Sequence, residues 1–227
     1  MNRRAGGDQI IPRPETWRHG EPPLWANRDL SVLSDFAKVK ARLTLVLDSY
    51  QPTIYDEFVA ATDAKQSAVL VALMPQDEEV HVLLTRRAQH LNNHKGEVSF
   101  PGGRLESGET PLQGALREAL EEVALDPDTV NVVGCIDSIS TFASKSIISP
   151  VIGFIPPSLP LVPDPGEVAR VFTVSLRDLA RSDTYRNEWW MTSRGDINIH
   201  FFELDDETVW GATSRMLVQL LDIITRE

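Results

Sequence analysis

The sequence predicts an α+β fold. Three observations lead there: short runs rich in Val, Leu and Ile bounded by turn residues, only a few helical segments, and no regular alternation of the two. The chain has 227 residues, enough for one good core, so a single domain with an extension is expected.

Residues 1–29 contain Pro12, Pro14, Pro22 and Pro23 among Gly and charged residues and read as an extended or mobile arm, leaving 30–227 as the single domain. Asp29 is placed to cap a helix from about Leu30 to Leu47, whose apolar face is Val32, Leu33, Phe36, Val39 and Leu43. That face packs on the domain, with an oligomer contact as the alternative. Ser67 to Met74 and Val80 to Arg86 form a strand pair about the turn Pro75-Gln76-Asp77-Glu78. Val98 to Phe100 is a short strand.

Thr110, Pro111 and Gln113 give the N-cap, the first helical position and the capping-box partner of a helix reaching about Val123. Leu116, Leu120 and Val123 make its apolar stripe. Val130 to Ile136, Ile147 to Ile155 and Val168 to Val174 are strands, the last followed by a helical turn at Ser175 to Leu179. Trp189 to Thr192 and Ile197 to Leu204 form a hairpin around Ser193-Arg194-Gly195-Asp196, with Trp189 and Trp190 on opposite sides of one strand. The chain closes on an amphipathic helix that buries Met216, Leu217, Leu220, Leu221 and Ile224.

The chemistry concentrates between Ser99 and Leu125. Glu118, Glu121 and Glu122 fall at i, i+3 and i+4, a stripe of like charges that repel one another on an isolated helix. A cation between them removes the repulsion, and hard oxygen ligands suit Mg²⁺ or Mn²⁺ rather than zinc. Arg117 can reach Glu121 or hold a neighbouring carboxylate in one rotamer. Taken alone, such a stripe is also what a solvated helix face looks like. The turn Pro101-Gly102-Gly103 before it exposes backbone groups, and Glu109 sits near the positive end of the helix.

Gly103, five residues, Glu109, seven residues, Arg117-Glu118-Ala119, one residue, Glu121-Glu122, one residue and Ala124-Leu125 resembles the Nudix box. The family usually has Gly where this chain has Ala124. The resemblance implies an α/β/α sandwich around a mixed sheet and hydrolysis of nucleoside diphosphates linked to another group. It also implies that Glu118, Glu121 and Glu122 hold the metal, helped by the Gly103 carbonyl and Glu109, with Arg117 beside them. Glu121 or Glu118 is then the first choice of general base, and Glu167, a carboxylate outside the box, the reserve.

Leu83-Leu84-Thr85-Arg86-Arg87-Ala88, Leu91, His94, Gly96, Val98, Phe100 and Pro101-Gly102-Gly103 resemble a signature of the coenzyme A pyrophosphatase branch, as does Val209-Trp210-Gly211-Ala212-Thr213. That branch implies 3′,5′-ADP and 4′-phosphopantetheine as products. Arg86 or Arg87 would hold the ribose 3′-phosphate; adjacent strand residues point to opposite faces, so only one of them does so, and Arg87 is favoured on the motif match, with a surface salt bridge as the alternative. His94 would donate to a substrate phosphate; a surface loop histidine is the alternative. Trp210-Gly211 reads as core filler and close backbone approach. The nearest other substrate class is ADP-ribose or a dinucleotide. Several such branches carry a Pro or Tyr roughly sixteen residues beyond the box, where this chain has Ser140-Thr141-Phe142-Ala143. A nucleotide-binding regulatory module would be expected to have lost box carboxylates, and all are present.

The net charge of −11 argues against a nonspecific nucleic-acid or anionic-membrane binder. Cys135, the single cysteine, lies in the apolar run Val132-Val133-Gly134-Cys135-Ile136; no intrachain disulfide can form, consistent with a reducing, cytoplasmic setting. Arg3-Arg4 is followed by Gly and Asp rather than an apolar run, which argues against a secretory leader. There is no Cys-x-x-Cys pair, no phosphate-binding Gly-Lys-Ser/Thr loop and no Gly-x-Ser-x-Gly elbow. A small nucleotide substrate is the expected partner, and a homodimer is left open by the family's habits.

Overall fold

The computed structural model describes residues 4–55, 64–91, 94–141, 145–193 and 195–226. Arg3, Phe142, Ala143 and Arg194, named above, lie outside them.

A long strand at the centre carries both faces of the core. β3 (Lys65–Gln76) follows β1 (Trp17–His19), α1 (Phe36–Asp48) and β2 (Ile54–Tyr55), and turns back into β4 (Glu79–Arg87). Alternate residues Val69, Val71 and Leu73 join one apolar cluster, while Ala68, Leu70, Ala72 and Met74 join another. A strand buried on both sides reads as a continuous apolar run, as this one does. Around it lie β5 (Val98–Ser99), β6 (Gly102–Arg104), α2 (Pro111–Val123), β7 (Asn131–Cys135), β8 (Ser138–Thr141), β9 (Ser146–Phe154) and β10 (Val168–Ser175). The large sheet runs β10-β4-β3-β9-β8-β2, with β5 on β4, β6 on β3 and β7 on β9. It is mixed: β3 pairs parallel with β9, antiparallel with β4 and β6.

After α3 (Leu176–Leu179), β11 (Tyr185–Thr192), β12 (Gly195–Glu203) and β13 (Thr208–Trp210) build a small antiparallel sheet with β1, and α4 (Gly211–Thr225) closes the chain. α1 and α4 cover one face of the large sheet through Val39, Leu43, Leu47, Met216, Leu217, Leu220, Leu221 and Ile224. α2 covers the other through Ala115, Ala119 and Val123. This is the α/β/α sandwich that the resemblance implied. Full burial of each such Leu, Val or Ile contributes about 1.5–3 kcal/mol. Among the described residues no helix is long and apolar enough to cross a membrane.

Several expectations are corrected. The helix from Leu30 is interrupted: Ser31–Ser34 form a 3₁₀ turn with Leu30, not Asp29, at its N-cap, Asp29 accepting from the Ser31 N–H, and Asp35, extended at φ −110°, caps α1 by accepting from the Lys38 N–H. The buried stripe of α2 is not Leu116-Leu120-Val123. Leu120 is 47% exposed, and Ala115, Ala119, Glu122 and Val123 face the sheet, because small residues let the helix lie close on β3. The short strands β1, β2, β6, β8 and β13 were not expected; each is two to four residues long, too short for a period-two pattern to register. The stretch before residue 30 is extended but well seated. β1 pairs with β11, and Trp25, 1% exposed, packs its ring 4.9 Å from Tyr185 and donates its indole N–H to the Ala180 carbonyl. Cys135 is half-buried, and burial raises its thiol pKa.

Two stability predictions arise here. Ala124 ends α2 in the left-handed conformation at φ +55°, where an L side chain is strained and Gly is not. Ala124→Gly should therefore stabilise the protein by about 0.5–1 kcal/mol in urea unfolding; a loss of stability would contradict the strain. His200 shares a 2.7 Å hydrogen bond with the Tyr185 hydroxyl, and burial, reinforced by Arg215, lowers its pKa to about 4. The unfolded chain takes up that proton near pH 6.5 and the folded chain does not. Stability contributed by neutral His200 is thus full above pH 6.5 and falls by about 3 kcal/mol as pH drops towards 4. His200→Asn should flatten the stability profile over that interval; an unchanged slope would assign acid sensitivity elsewhere.

Candidate active site

The site is assembled where β6 meets the inner face of α2. Thr110 and Gln113 close a reciprocal capping box, so α2 starts at a fixed residue and its carboxylates take fixed positions. Gly103 lies opposite Ala68 in the β6–β3 ladder. A Cβ there would stand 2.5 Å from the carboxyl carbon and both oxygens of Glu118, so only Gly allows this approach.

Arg117 organises the cluster. Its Nε and Nη2 donate to the two Glu109 oxygens at 2.9 and 3.0 Å, and Nη1 donates to Glu118 and Glu121, each at 2.9 Å. Nη2 also donates to the Arg104 carbonyl at 3.0 Å. Both roles expected of Arg117 are filled at once. Hydrogen bonds from Arg117, with a further one from the Glu106 N–H, hold the Glu109 carboxyl below the usual carboxylate range. Arg117 remains charged throughout the accessible pH range.

Glu122 is the buried member, 3% exposed. It accepts from the Gly102 N–H at 3.2 Å and has Arg87 Nη1 at 3.6 Å. Burial pushes its pKa up to about 7; the Gly102 bond and Arg87 oppose that shift, and Glu118 and Glu167 add to it. Glu118 is raised as well, by burial first and then by Glu121 and Glu167, against Arg117. Glu121 is the exposed carboxylate, its side chain 58% accessible. Glu167, exposed just ahead of β10, shares the same electrostatic field.

β4 separates the two arginines as adjacent strand residues require. Arg87 turns toward Glu122, whereas Arg86 bonds Asp8 and Glu207 on the other side. His94, at φ +53°, shares a 2.9 Å hydrogen bond with Glu97, which raises its imidazole pKa. The structure thus gathers Gly103, Glu109, Arg117, Glu118, Glu121, Glu122 and Arg87, places Glu167 within electrostatic reach, and sets Arg86 apart. The Arg104 carbonyl, Glu97 and Glu207 were not foreseen, and no local signal distinguishes them.

The donors are carboxylates and backbone oxygens, the set that suits a hard divalent cation. Among the described residues no three His, Cys, Asp or Glu side chains are already gathered closely enough to hold a metal ion. Burial is the first cause of the raised pKa values of Glu118 and Glu122, with neighbouring carboxylates adding to it; it is the chemistry of the donor set, carboxylates beside backbone oxygens, that fits a cation.

Crowded carboxylates, a guanidinium fixed among them and Arg87 beside Glu122 make a strongly charged cluster whose chemistry suits a divalent cation and an anionic ligand. A family model for the NUDIX domain matches residues 64–192, more than half of the chain. An uncharacterized Nudix hydrolase NudL from Enterobacter sp. (strain 638) is 36% identical over 160 residues, covering 69% of this chain and 81% of the relative. Nudix hydrolase 3 from Caenorhabditis elegans is 30% identical over 195 residues, covering 78% and 81%. A crystal structure of a Nudix hydrolase from M. Smegmatis, RenU, is 26% identical with a TM-score of 0.45, covering 51% of this chain and 73% of that one. The chain belongs to the Nudix hydrolase family, whose members act on nucleoside-diphosphate-linked substrates and in general use divalent ions such as Mg²⁺ or Mn²⁺.

Proposed function

We propose that this protein hydrolyses the diphosphate bond of coenzyme A or its derivatives, giving 3′,5′-ADP and 4′-phosphopantetheine or its acyl form. The branch-like residues from Leu83 to Gly103 and from Val209 to Thr213 support that reading. The observation that carries the diphosphate chemistry is the placement of Arg87, one of those residues, at 3.6 Å from the buried carboxylate of Glu122; the coenzyme A part of the reading rests on the branch-like residues alone. From there Arg87 binds a diphosphate oxygen in a bidentate or stacked geometry that Lys would not reproduce. A contact with the diphosphate itself fits this position better than one with a distant ribose 3′-phosphate.

Glu118, Glu121 and Glu122, with the Gly103 carbonyl, would hold Mg²⁺ or Mn²⁺, and Glu109 supports them by fixing Arg117. A bound cation supplies positive charge against the diphosphate and a more acidic water. With a cation held there, the box carboxylates would orient a water towards phosphorus, one of them would take its proton as the water oxygen bonds phosphorus, and the P–O bond to the leaving phosphate would break, the leaving oxygen keeping the electron pair. Glu121 or Glu118 is the first choice of base, and Glu167 the reserve. His94, held by Glu97, donates to a substrate phosphate.

The test is product analysis by chromatography with Mg²⁺ or Mn²⁺ and, in parallel, coenzyme A, 3′-dephospho-coenzyme A and ADP-ribose. Release of 3′,5′-ADP with coenzyme A preferred is expected. A preference for ADP-ribose would overturn the coenzyme A assignment and keep the diphosphate chemistry.

A further inference from the structure

Residues 4–13 lie outside the segment matched by the family model, and none of them is buried; Ile10 is 93% exposed. Their contacts are polar and specific. The Gly6 N–H donates to the Leu204 carbonyl at 2.8 Å, and the Gly7 N–H to the Thr208 hydroxyl at 3.1 Å. The approach is close: a Cβ on Gly7 would stand 2.7 Å from Glu207 Cα and 2.8 Å from the Asp206 carbonyl. Gln9 then uses both ends of its amide. Its carbonyl accepts from the Thr208 N–H at 3.0 Å, while its NH₂ donates to the Glu207 carboxylate and, at 3.4 Å, to the Gly96 carbonyl.

Those contacts converge on the arginine of the active site. Glu207 is fully buried and accepts from Arg86 at 3.4 Å and from Arg170 at 3.2 Å. Arg86 also binds Asp8 of the arm. The next residue, Arg87, donates its N–H to the Glu97 carbonyl at 2.9 Å and accepts the Gly96 N–H at 3.1 Å. The backbone carrying the Arg87 guanidinium is therefore clamped twice by the arm, through the Arg86 side chain and through the Gly96 turn. A shift of about 1 Å at a substrate-binding group costs on the order of 10²-fold when the bound geometry matters.

We propose that the N-terminal arm is a positioning element of the substrate site, with Gln9, Asp8 and buried Glu207 acting through Arg86 and Gly96 to set Arg87. This rests on the reading of Arg87 as the diphosphate contact. The arm is a positioning device and touches no reacting atom.

The test is a double-mutant cycle on the full chain, using whichever of the three nucleotides above is turned over fastest, with amide hydrogen exchange as a readout independent of substrate. Gln9→Ala is expected to raise KM roughly 3–10-fold with kcat within about twofold, to leave Tm nearly unchanged, and to speed exchange at the Gly96 and Arg87 amides. In an Arg87→Ala background the same change should have no further effect on KM. Gly7→Ala should reproduce the phenotype by lifting the arm. An equal effect of Gln9→Ala in both backgrounds, or unchanged exchange at Gly96 and Arg87, overturns the positioning role. Arg87→Ala with unaltered KM overturns instead the substrate contact on which the role rests.

Discussion

Gly103→Ala should leave the protein folded and remove about 10²-fold of its turnover. The added methyl would occupy space 2.5 Å from the Glu118 carboxyl atoms, and the atoms it meets are the far end of a flexible side chain rather than backbone. Glu118 therefore moves, and the β6–β3 ladder does not. The loss should appear in kcat at saturating Mn²⁺, with Tm within a few degrees of the parent. Turnover near that of the parent would mean that Glu118 works from some other position.

Glu122→Gln and Glu121→Gln should each lose roughly 10²–10⁴-fold in turnover. Their thermal behaviour should differ from that of ordinary core substitutions. Gln at 122 can still accept from the Gly102 N–H, and it removes a carboxyl whose charged form burial disfavours. Without divalent ions the Glu122→Gln protein is expected to melt no lower than the parent. On adding Mn²⁺ the parent should gain stability in proportion to occupancy, and the variants should gain little. Activity near the parent level in both variants would sink the carboxylate assignment.

Much of this architecture is written locally. α2 was legible because a capping box and a first-position proline mark its start, and the chemistry on it was legible because helical spacing alone puts Glu118, Glu121 and Glu122 together. The strands β3, β4, β9 and β10 announced themselves by segments rich in Val, Leu, Ile and Phe bounded by turn residues. What escaped depends on distant chain. β6 exists because Gly103 and Ala68 meet across the sheet, and nothing in Pro101-Gly102-Gly103 shows its partner. Leu120 fits the helical stripe by period, yet the face that packs was chosen by how closely small residues let α2 approach β3. The separate duties of Arg86 and Arg87 followed from strand alternation, but which of them meets Glu122 required the register of β4 against β5 and β10.

The segment recognised by the family model, 64–192, is not the unit that folds. Its main apolar cluster begins with Trp25 and ends with Ile224, and the Trp25 ring lies against Tyr185 and Phe202. Severing the chain just ahead of residue 64 would therefore release no free-standing domain: it would open an indole-sized void and strip the sheet of α1. Loss of structure is expected to be cooperative, a single calorimetric transition in which α2 melts together with α4, which covers the opposite face of the same sheet.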